Sequence, residues 1–402
     1  MWEQIRSNQI RSIVLVAGMG ALLILLGYFL GMFFFDNAVA GLIIALLIWG
    51  IMCLVAYFQG DNILLSVAGA KKIKRDDHPR LYNIVEEMKI ASGLEKVPDI
   101  YIIDDPALNA FATGRSPDKA AVAITSGLLQ KLNRDELQGV IGHEIAHIKN
   151  RDVLLMSMAG IILGTIVILA WYATRVLFFS GMAGGRRSSR SGGGQAQVIL
   201  MLVGIVLMIL APIAAQLLYF AISRKREYLA DASSALFTRY PEGLASALEK
   251  LGTSTGQLKS ANQATAPMYI VNPFRKVGKS SINDLTSTHP PVSERIRILR
   301  SMAGASPAEY EQAYRQVKGK AGIMPASALV GTGTISLRSE SAEAVEDTTG
   351  KIERARETSS LMWRLGNYRT ITCDCGTNLK VPANFKESSV KCPHCGRINQ
   401  LQ

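Results

Sequence analysis

The sequence predicts an α-helical membrane protein with four apolar segments in two hairpins, an α+β domain built around them, and a small C-terminal zinc ribbon. Three observations carry that fold class. Four long uncharged apolar runs come in two pairs, a His-Glu-Ile-Ala-His string stands just before the third run, and four cysteines gather near the end of the chain. At 402 residues, 49% hydrophobic and with a positive mean hydropathy, the chain exceeds what one compact core needs and is too apolar for an ordinary soluble protein. A formal charge of +12 admits nucleic acid or an anionic membrane surface as partner. Most of the cations flank the apolar runs or scatter over polar segments, so the membrane takes the larger share and nucleic acid is not expected.

Residues 1–58 read as the first hairpin. Ile13 to Phe35 and Val39 to Phe58 are uncharged runs of 23 and 20 residues, parted by the turn Asp36-Asn37-Ala38. Each is long enough for about 30 Å of hydrocarbon at about 1.5 Å per residue. A cleaved signal peptide does not fit, because its apolar core is shorter and a second run follows at once. The second hairpin, 154–222, pairs Leu154–Thr174 with Val198–Ile222 through a solvated Gly/Ser/Arg loop. Gly27 with Gly31, and Gly160 with Gly164, have the spacing that lets helices pack closely.

Cations near the run ends set orientation. Arg6, Arg11, Lys71, Lys72, Lys74, Arg75, Lys149, Arg151, Arg224, Lys225 and Arg226 fall on one side, against Arg175, Arg186, Arg187 and Arg190 on the other. That places 59–153 and everything after 223 in the cytoplasm. A second hairpin that enters the bilayer without crossing it keeps its two ends on one side as well.

The domain spanning 59–302, interrupted by the second hairpin, carries the chemistry. "VPDIYIID", "NAFATG" and "KAAVAITSG" alternate like strands. A helix then starts at Asn133, whose side chain can cap it while Glu136 completes a capping box. On this helix His143 and His147 project from one face, where two imidazoles can hold one Zn²⁺, and Glu144 is placed to polarise a water. A catalytic zinc needs a third ligand, and "REYLAD" offers Glu227, with Asp231 one turn later to support a ligand histidine. The 80 residues from His147 to Glu227 contain the whole second hairpin, and ligands of one metal require an even number of crossings. At helical rise the metal then lies roughly 10 Å from the bilayer surface. His289 and Arg295, in "THPPVSERI", could each hydrogen-bond the oxyanion formed when water attacks an amide. His78 reads as a surface residue.

"NAFATG", "GHEIAHIKNRD", "REYLADASSA", "VNPF" and "THPPVSERI" follow one another in this order. In them the chain resembles the integral-membrane zinc metallopeptidases that include the HtpX-type proteases and, more distantly, the prenyl-protein endopeptidases. The resemblance covers about residues 10–302. It implies a gluzincin-type catalytic domain on the cytoplasmic face, with Zn²⁺ on His143, His147 and Glu227 and with Glu144 as general base and then acid. It also implies that Asp231 orients His143 and that His289 and Arg295 flank the scissile carbonyl. Asn109, Ala110 and Phe111 would belong to an edge strand holding an extended peptide by main-chain pairing. The implied substrates are misfolded or damaged membrane proteins, cut endoproteolytically, and the implied location is a bacterial inner membrane.

The remainder departs from that pattern. Residues 303–366 read as a linker with short helices, flexible from 316 to about 350, where aromatics vanish and Gly, Ala, Ser and Thr dominate. Residues 367–402 pair Cys373 and Cys375 with Cys392 and Cys395, the arrangement of a ribbon in which four thiolates close a structural zinc site. His394 reads as a bystander. Such a site does no catalysis, so the ribbon is expected to recognise a protein partner. The rival to an enzyme is a membrane scaffold using the ribbon as its docking module; a tethered transcription regulator ranks last. Glu144 discriminates, since a scaffold has no use for a base between two ligands.

Overall fold

The computed structural model describes residues 2–183, 194–254, 256, 258–259, 268–271, 289–319, 322–324, 326–329, 333–341 and 348–401. The chain starts with two long helices, α1 (Trp2–Phe35) and α2 (Ala38–Val67). Asp36, at φ +52°, makes the turn, and the Asn37 side chain caps α2 by accepting from the Ala40 N–H at 3.1 Å. Gly31 and Gly41 let the pair close: a Cβ on Gly31 would lie 2.5 Å from Gly41 Cα. The small-residue reading of Gly27 and Gly31 thus has its cause in backbone-to-backbone contact. Among the described residues α2 is the helix long and apolar enough to cross a membrane; Val16–Met32 and Met156–Tyr172 are shorter apolar stretches.

Two further helices, α6 (Val153–Ala183) and α7 (Gly194–Thr238), pack beside this hairpin. Met19, Leu23, Ile162, Leu163, Ile166 and Ala211 form their shared core. Their outward residues, including Ile168, Trp171, Ile209 and Ile213, are large, apolar and exposed. An exposed apolar surface of this extent is one that lipid or another protein covers. The Gly/Ser/Arg loop, residues 184–193, lies outside the described residues.

Four strands form one sheet: β1 (Ala70–Lys72), β2 (Asp99–Ile103), β3 (Ala110–Gly114) and β4 (Ala120–Thr125), in the order β1-β2-β4-β3. β2 and β4 run parallel, and β3 lies antiparallel to β4 at one edge, in the register Ala110 to Ile124. The three strands expected from sequence are present; β1 is additional. Helices α3 (Pro79–Ser92), α4 (Ser126–Lys131), α5 (Arg134–Lys149), α8 (Pro241–Thr253), α9 (Val292–Arg300) and α10 (Pro307–Lys318) complete the domain. α5 is its axis, buried from Asp135 to Ile148. Close approach makes this possible: a Cβ on Gly139 would meet the Leu244 backbone of α8 at 2.6 Å.

Two expectations are corrected here. His78 is not on the surface; it is 1% exposed and caps α3, its Nδ1 accepting from the Leu81 N–H at 3.2 Å. Nor is the stretch after 316 a free linker throughout. α10 runs to Lys318, Glu311 accepts from the backbone N–H of Ile323 and Met324, and residues 333–341 are hydrogen-bonded to the start of α5 and the end of α7. Backbone hydrogen bonds together with the buried Ile323 and Met324 side chains hold it, which is how a stretch without aromatics can pack. Helix α11 (Thr348–Leu365) packs on α4, with Leu361 fully buried. The ribbon follows as two hairpins, β5 (Tyr368–Thr372) with β6 (Asn378–Pro382) and β7 (Ser389–Lys391) with β8 (Ile398–Gln400).

Candidate active site

The α5 capping box forms as its sequence dictates, with Asn133 Oδ1 accepting from the Glu136 N–H and Glu136 Oε2 from the Asn133 N–H, both at 2.9 Å. Nine residues past its start the helix presents His143, and one turn later His147, their Nε2 atoms 3.2 Å apart. α7 delivers Glu227 from the far side of the second hairpin. Its Oε2 lies 3.6 Å from His143 Nε2 and its Oε1 3.5 Å from His147 Nε2.

These spacings test whether a metal fits. Tetrahedral Zn²⁺ with bonds of about 2.0–2.1 Å places its ligand atoms about 3.3 Å apart. The two Nε2 atoms stand at that spacing and each is 3.5–3.6 Å from one of the two Glu227 oxygens, so the three side chains can close on one ion; Glu227 Oε2 makes no hydrogen bond within the protein although it is buried. Each histidine turns its Nδ1 to a carboxylate, His143 to Asp231 at 3.0 Å and His147 to Asp152 at 3.2 Å. With the proton held on Nδ1, both Nε2 lone pairs face inward, as a metal ligand requires.

Glu144 stands between them, 1% exposed, and neither carboxylate oxygen has a hydrogen-bond partner within the protein. Burial raises its pKa against the pull of the two histidines, the direction that suits a group passing a proton. For Glu227 burial is outweighed by His289 and the paired histidines, which hold it ionised. His289 is pushed down to about 4 by burial and places Nε2 3.8 Å from Glu227 Oε2.

Arg295 lies beside the metal ligands, its Nη1 3.5 Å from Glu227 Oε2. It is fully buried, with Nε and Nη2 donating to the two oxygens of Asp231 at 2.8 and 2.6 Å and Nη1 to the Ile270 carbonyl. A buried guanidinium takes the nearest carboxylate, and its fork is thereby filled. Ala110 and Phe111 belong to the edge strand β3 and Asn109 immediately precedes it, but another part of the chain already meets that edge. Ile270 N–H donates to the Ala110 carbonyl, Asn109 Nδ2 to the Val271 carbonyl, and the Phe111 ring packs edge-on to Tyr269 at 5.1 Å.

Asp152 is the residue that sequence reasoning missed. Arg151, at φ +56°, turns the chain after α5 so that Asp152 comes back to His147. An acid five residues past a ligand histidine was the available signal.

In the ribbon Cys373 and Cys395 sulfurs are 3.6 Å apart, and those of Cys375 and Cys392 3.7 Å. Zn–S bonds of about 2.3 Å give tetrahedral edges of about 3.8 Å, so these thiols also fit one ion. Their four sulfurs form one group with His394 outside it.

Residues 75–303 match the family described as Peptidase family M48. A "Protease HtpX homolog" of Dictyoglomus turgidum is 47% identical over 269 residues, which cover 67% of this chain and 84% of that protein. Another, from Streptococcus mutans, is 42% identical over 302 residues, covering 75% of this chain and 100% of that one. The crystal structure of S. mikatae Ste24p bears a slighter likeness, at 19% identity and a TM-score of 0.40 over 74% of this chain and 67% of its own.

Proposed function

This chain belongs to peptidase family M48, and from that premise we propose how its site cuts a peptide bond. It is a membrane-bound zinc metalloprotease. The observation that carries the mechanism is the His143–His147–Glu227 triangle with the unbonded carboxylate of Glu144 beside it. His143, His147 and Glu227 would hold the catalytic zinc, and Cys373, Cys375, Cys392 and Cys395 a structural one, two per chain.

When bound, the catalytic ion supplies Lewis acidity, lowering the pKa of a water toward about 7 and polarising a carbonyl. Glu144 takes the proton of the attacking water on its carboxylate and delivers it to the leaving amine nitrogen. Asp231 and Asp152 hold the histidine tautomers, and Arg295 balances the charge of Asp231. His289 is the group left to hydrogen-bond the oxyanion. Asn109, Ala110 and Phe111 offer an edge for an extended peptide, once Tyr269–Val271 has withdrawn from it.

The substrates are misfolded or damaged membrane proteins, cut at the cytoplasmic face of a bacterial inner membrane. The apolar exposed belt and the cations at the run ends support this placement, with both hairpins in the bilayer. The domains are then the hairpin 1–58, the protease 59–302 with its insertion 154–222, the connector 303–366 and the ribbon 367–402, the last meeting a protein partner. A silent scaffold would gain nothing from burying Glu144 unbonded between two ligands.

The test is zinc content and cleavage of a denatured model protein in detergent, for the parent and Glu144→Gln. Two zinc per chain in both, with proteolysis in the parent alone, is the expected result. Equal cleavage by both proteins would overturn the mechanism.

A further inference from the structure

The segment 333–341 lies beyond the M48 match, which ends at 303, and three quarters of this chain already account for a whole relative. What this added segment grips is therefore particular. Arg338 pairs its backbone N–H with the Arg239 carbonyl, just past the end of α7. Its guanidinium donates from Nε to the Thr238 carbonyl at 2.9 Å and from Nη2 to Asp135 Oδ1 and Gln138 Oε1 at 2.7 and 2.8 Å, and lies over the Tyr240 ring. Ser341 N–H takes the other Asp135 oxygen at 2.9 Å. Arg239 answers with its own guanidinium on the Ser336 carbonyl.

Arg338 thus ties the start of α5 to the end of α7. These two helices carry His143, Glu144 and His147 on one side and Glu227 and Asp231 on the other. Between the brace and the metal triangle they touch directly, Ser234 Oγ donating to the Gly139 carbonyl at 2.7 Å. A bound zinc tolerates ligand displacements of about 0.2 Å, so a small rocking of one helix on the other opens the triangle. Asp135 is 2% exposed and relies on the segment for partners to both oxygens, which makes the grip costly to release.

We propose that Arg338 is a positioning residue: through Asp135, Gln138 and Thr238 it fixes the mutual setting of α5 and α7 and so the ligand geometry of the catalytic zinc. The C-terminal extension is in this way part of the peptidase site. The inference rests on the metal site proposed above, and Glu144→Gln separates the two, since cleavage by that variant would sink the site itself rather than the brace.

The experiment uses the full-length protein in detergent. Zinc release to a chromophoric chelator is followed for the parent, Arg338→Ala and Arg338→Lys, with the ribbon's zinc counted separately after an organomercurial thiol reagent. kcat and KM are measured on a short fluorogenic peptide. For Arg338→Ala the expected results are catalytic-zinc release roughly tenfold faster and kcat roughly tenfold lower, with KM within about twofold. Arg338→Lys keeps the charge without the fork and should fall between. In the double variant with Asp135→Asn, the loss should be smaller than the sum of the two single losses, since the Arg338–Asp135 pair is removed in both. Parental release and kcat in Arg338→Ala, with only a lowered melting temperature, would overturn the proposal. If that variant does not fold, parental values in Arg338→Lys do the same.

Discussion

Replacing Asp152 by asparagine removes one charge and almost no volume from the wall behind His147. The two groups meet at 3.2 Å, and Asp152 is 1% exposed, so no water can take over its role. Losing the carboxylate behind a ligand histidine typically costs roughly 10–100-fold in metal affinity, about 1.4–2.7 kcal/mol. Asparagine keeps a carbonyl oxygen that can accept from Nδ1, which puts Asp152→Asn at the lower end, with Asp152→Ala at the upper. Proton competition supplies a second signature. In the metal-free site burial lowers the pKa of His147, but Asp152 and Glu227 outweigh it and raise it to about 9. Below pH 9 an incoming zinc must therefore displace a proton from this ring. The Asp152→Asn substitution withdraws the charge that raises the pKa, so the variant faces less competition. The affinity loss should be largest above pH 9 and narrow as the pH falls toward 7. Chelator competition at pH 7, 8 and 9.5 reads this directly. No loss at any pH, or a loss that does not change with pH, would refute the assignment of Asp152 to His147.

Gly41→Leu should part α1 from α2, because a Cβ there would lie 2.2 Å from the Gly27 carbonyl and 2.6 Å from Gly31 Cα. A cost of about 1–3 kcal/mol is expected from overpacking, read as a lower melting temperature in detergent, whereas Gly50→Leu, with nothing within 4 Å, should leave it unchanged. His78 predicts a pH dependence of stability. Burial first, then Arg80, lowers its folded pKa to about 4, below the ordinary value near 6.5, so the folded state binds fewer protons. Its stabilising contribution is complete above pH 6.5 and disappears as the pH falls through 4, at most about 3 kcal/mol. His78→Asn keeps a capping oxygen for α3 and removes the titration, so its denaturation midpoint should vary less between pH 7 and 4 than the parent's.

What was legible in the sequence is what is local in the chain. The His143–His147 pair, the Asn133 capping box and the uncharged runs each lie within one element, where a period or a short spacing fixes the geometry. Glu227, 80 residues away, is offered by the carboxylate pair of "REYLAD", and the intervening hairpin, which returns the chain to the same side, makes it compatible with one metal. Asp152 escaped since a left-handed residue, Arg151, brings it back, and no side-chain type announces that turn. Arg295 illustrates a different limit. Its nearness to His289 in the sequence suggested a role toward substrate, but a guanidinium with no exposed surface has to meet a carboxylate, and which carboxylate is decided by packing. The segment 333–341 went unrecognised for a related reason. Composition registers apolar burial, and this segment is held by backbone hydrogen bonds and one arginine, Arg338, reaching 203 residues back to Asp135. Contacts of that kind leave hydrophobicity unchanged while still setting how two catalytic helices meet. A polar strap can therefore be structural in a stretch whose composition says linker, and the signal to seek is an arginine among small residues that pairs with a buried acid in the first turn of a functional helix.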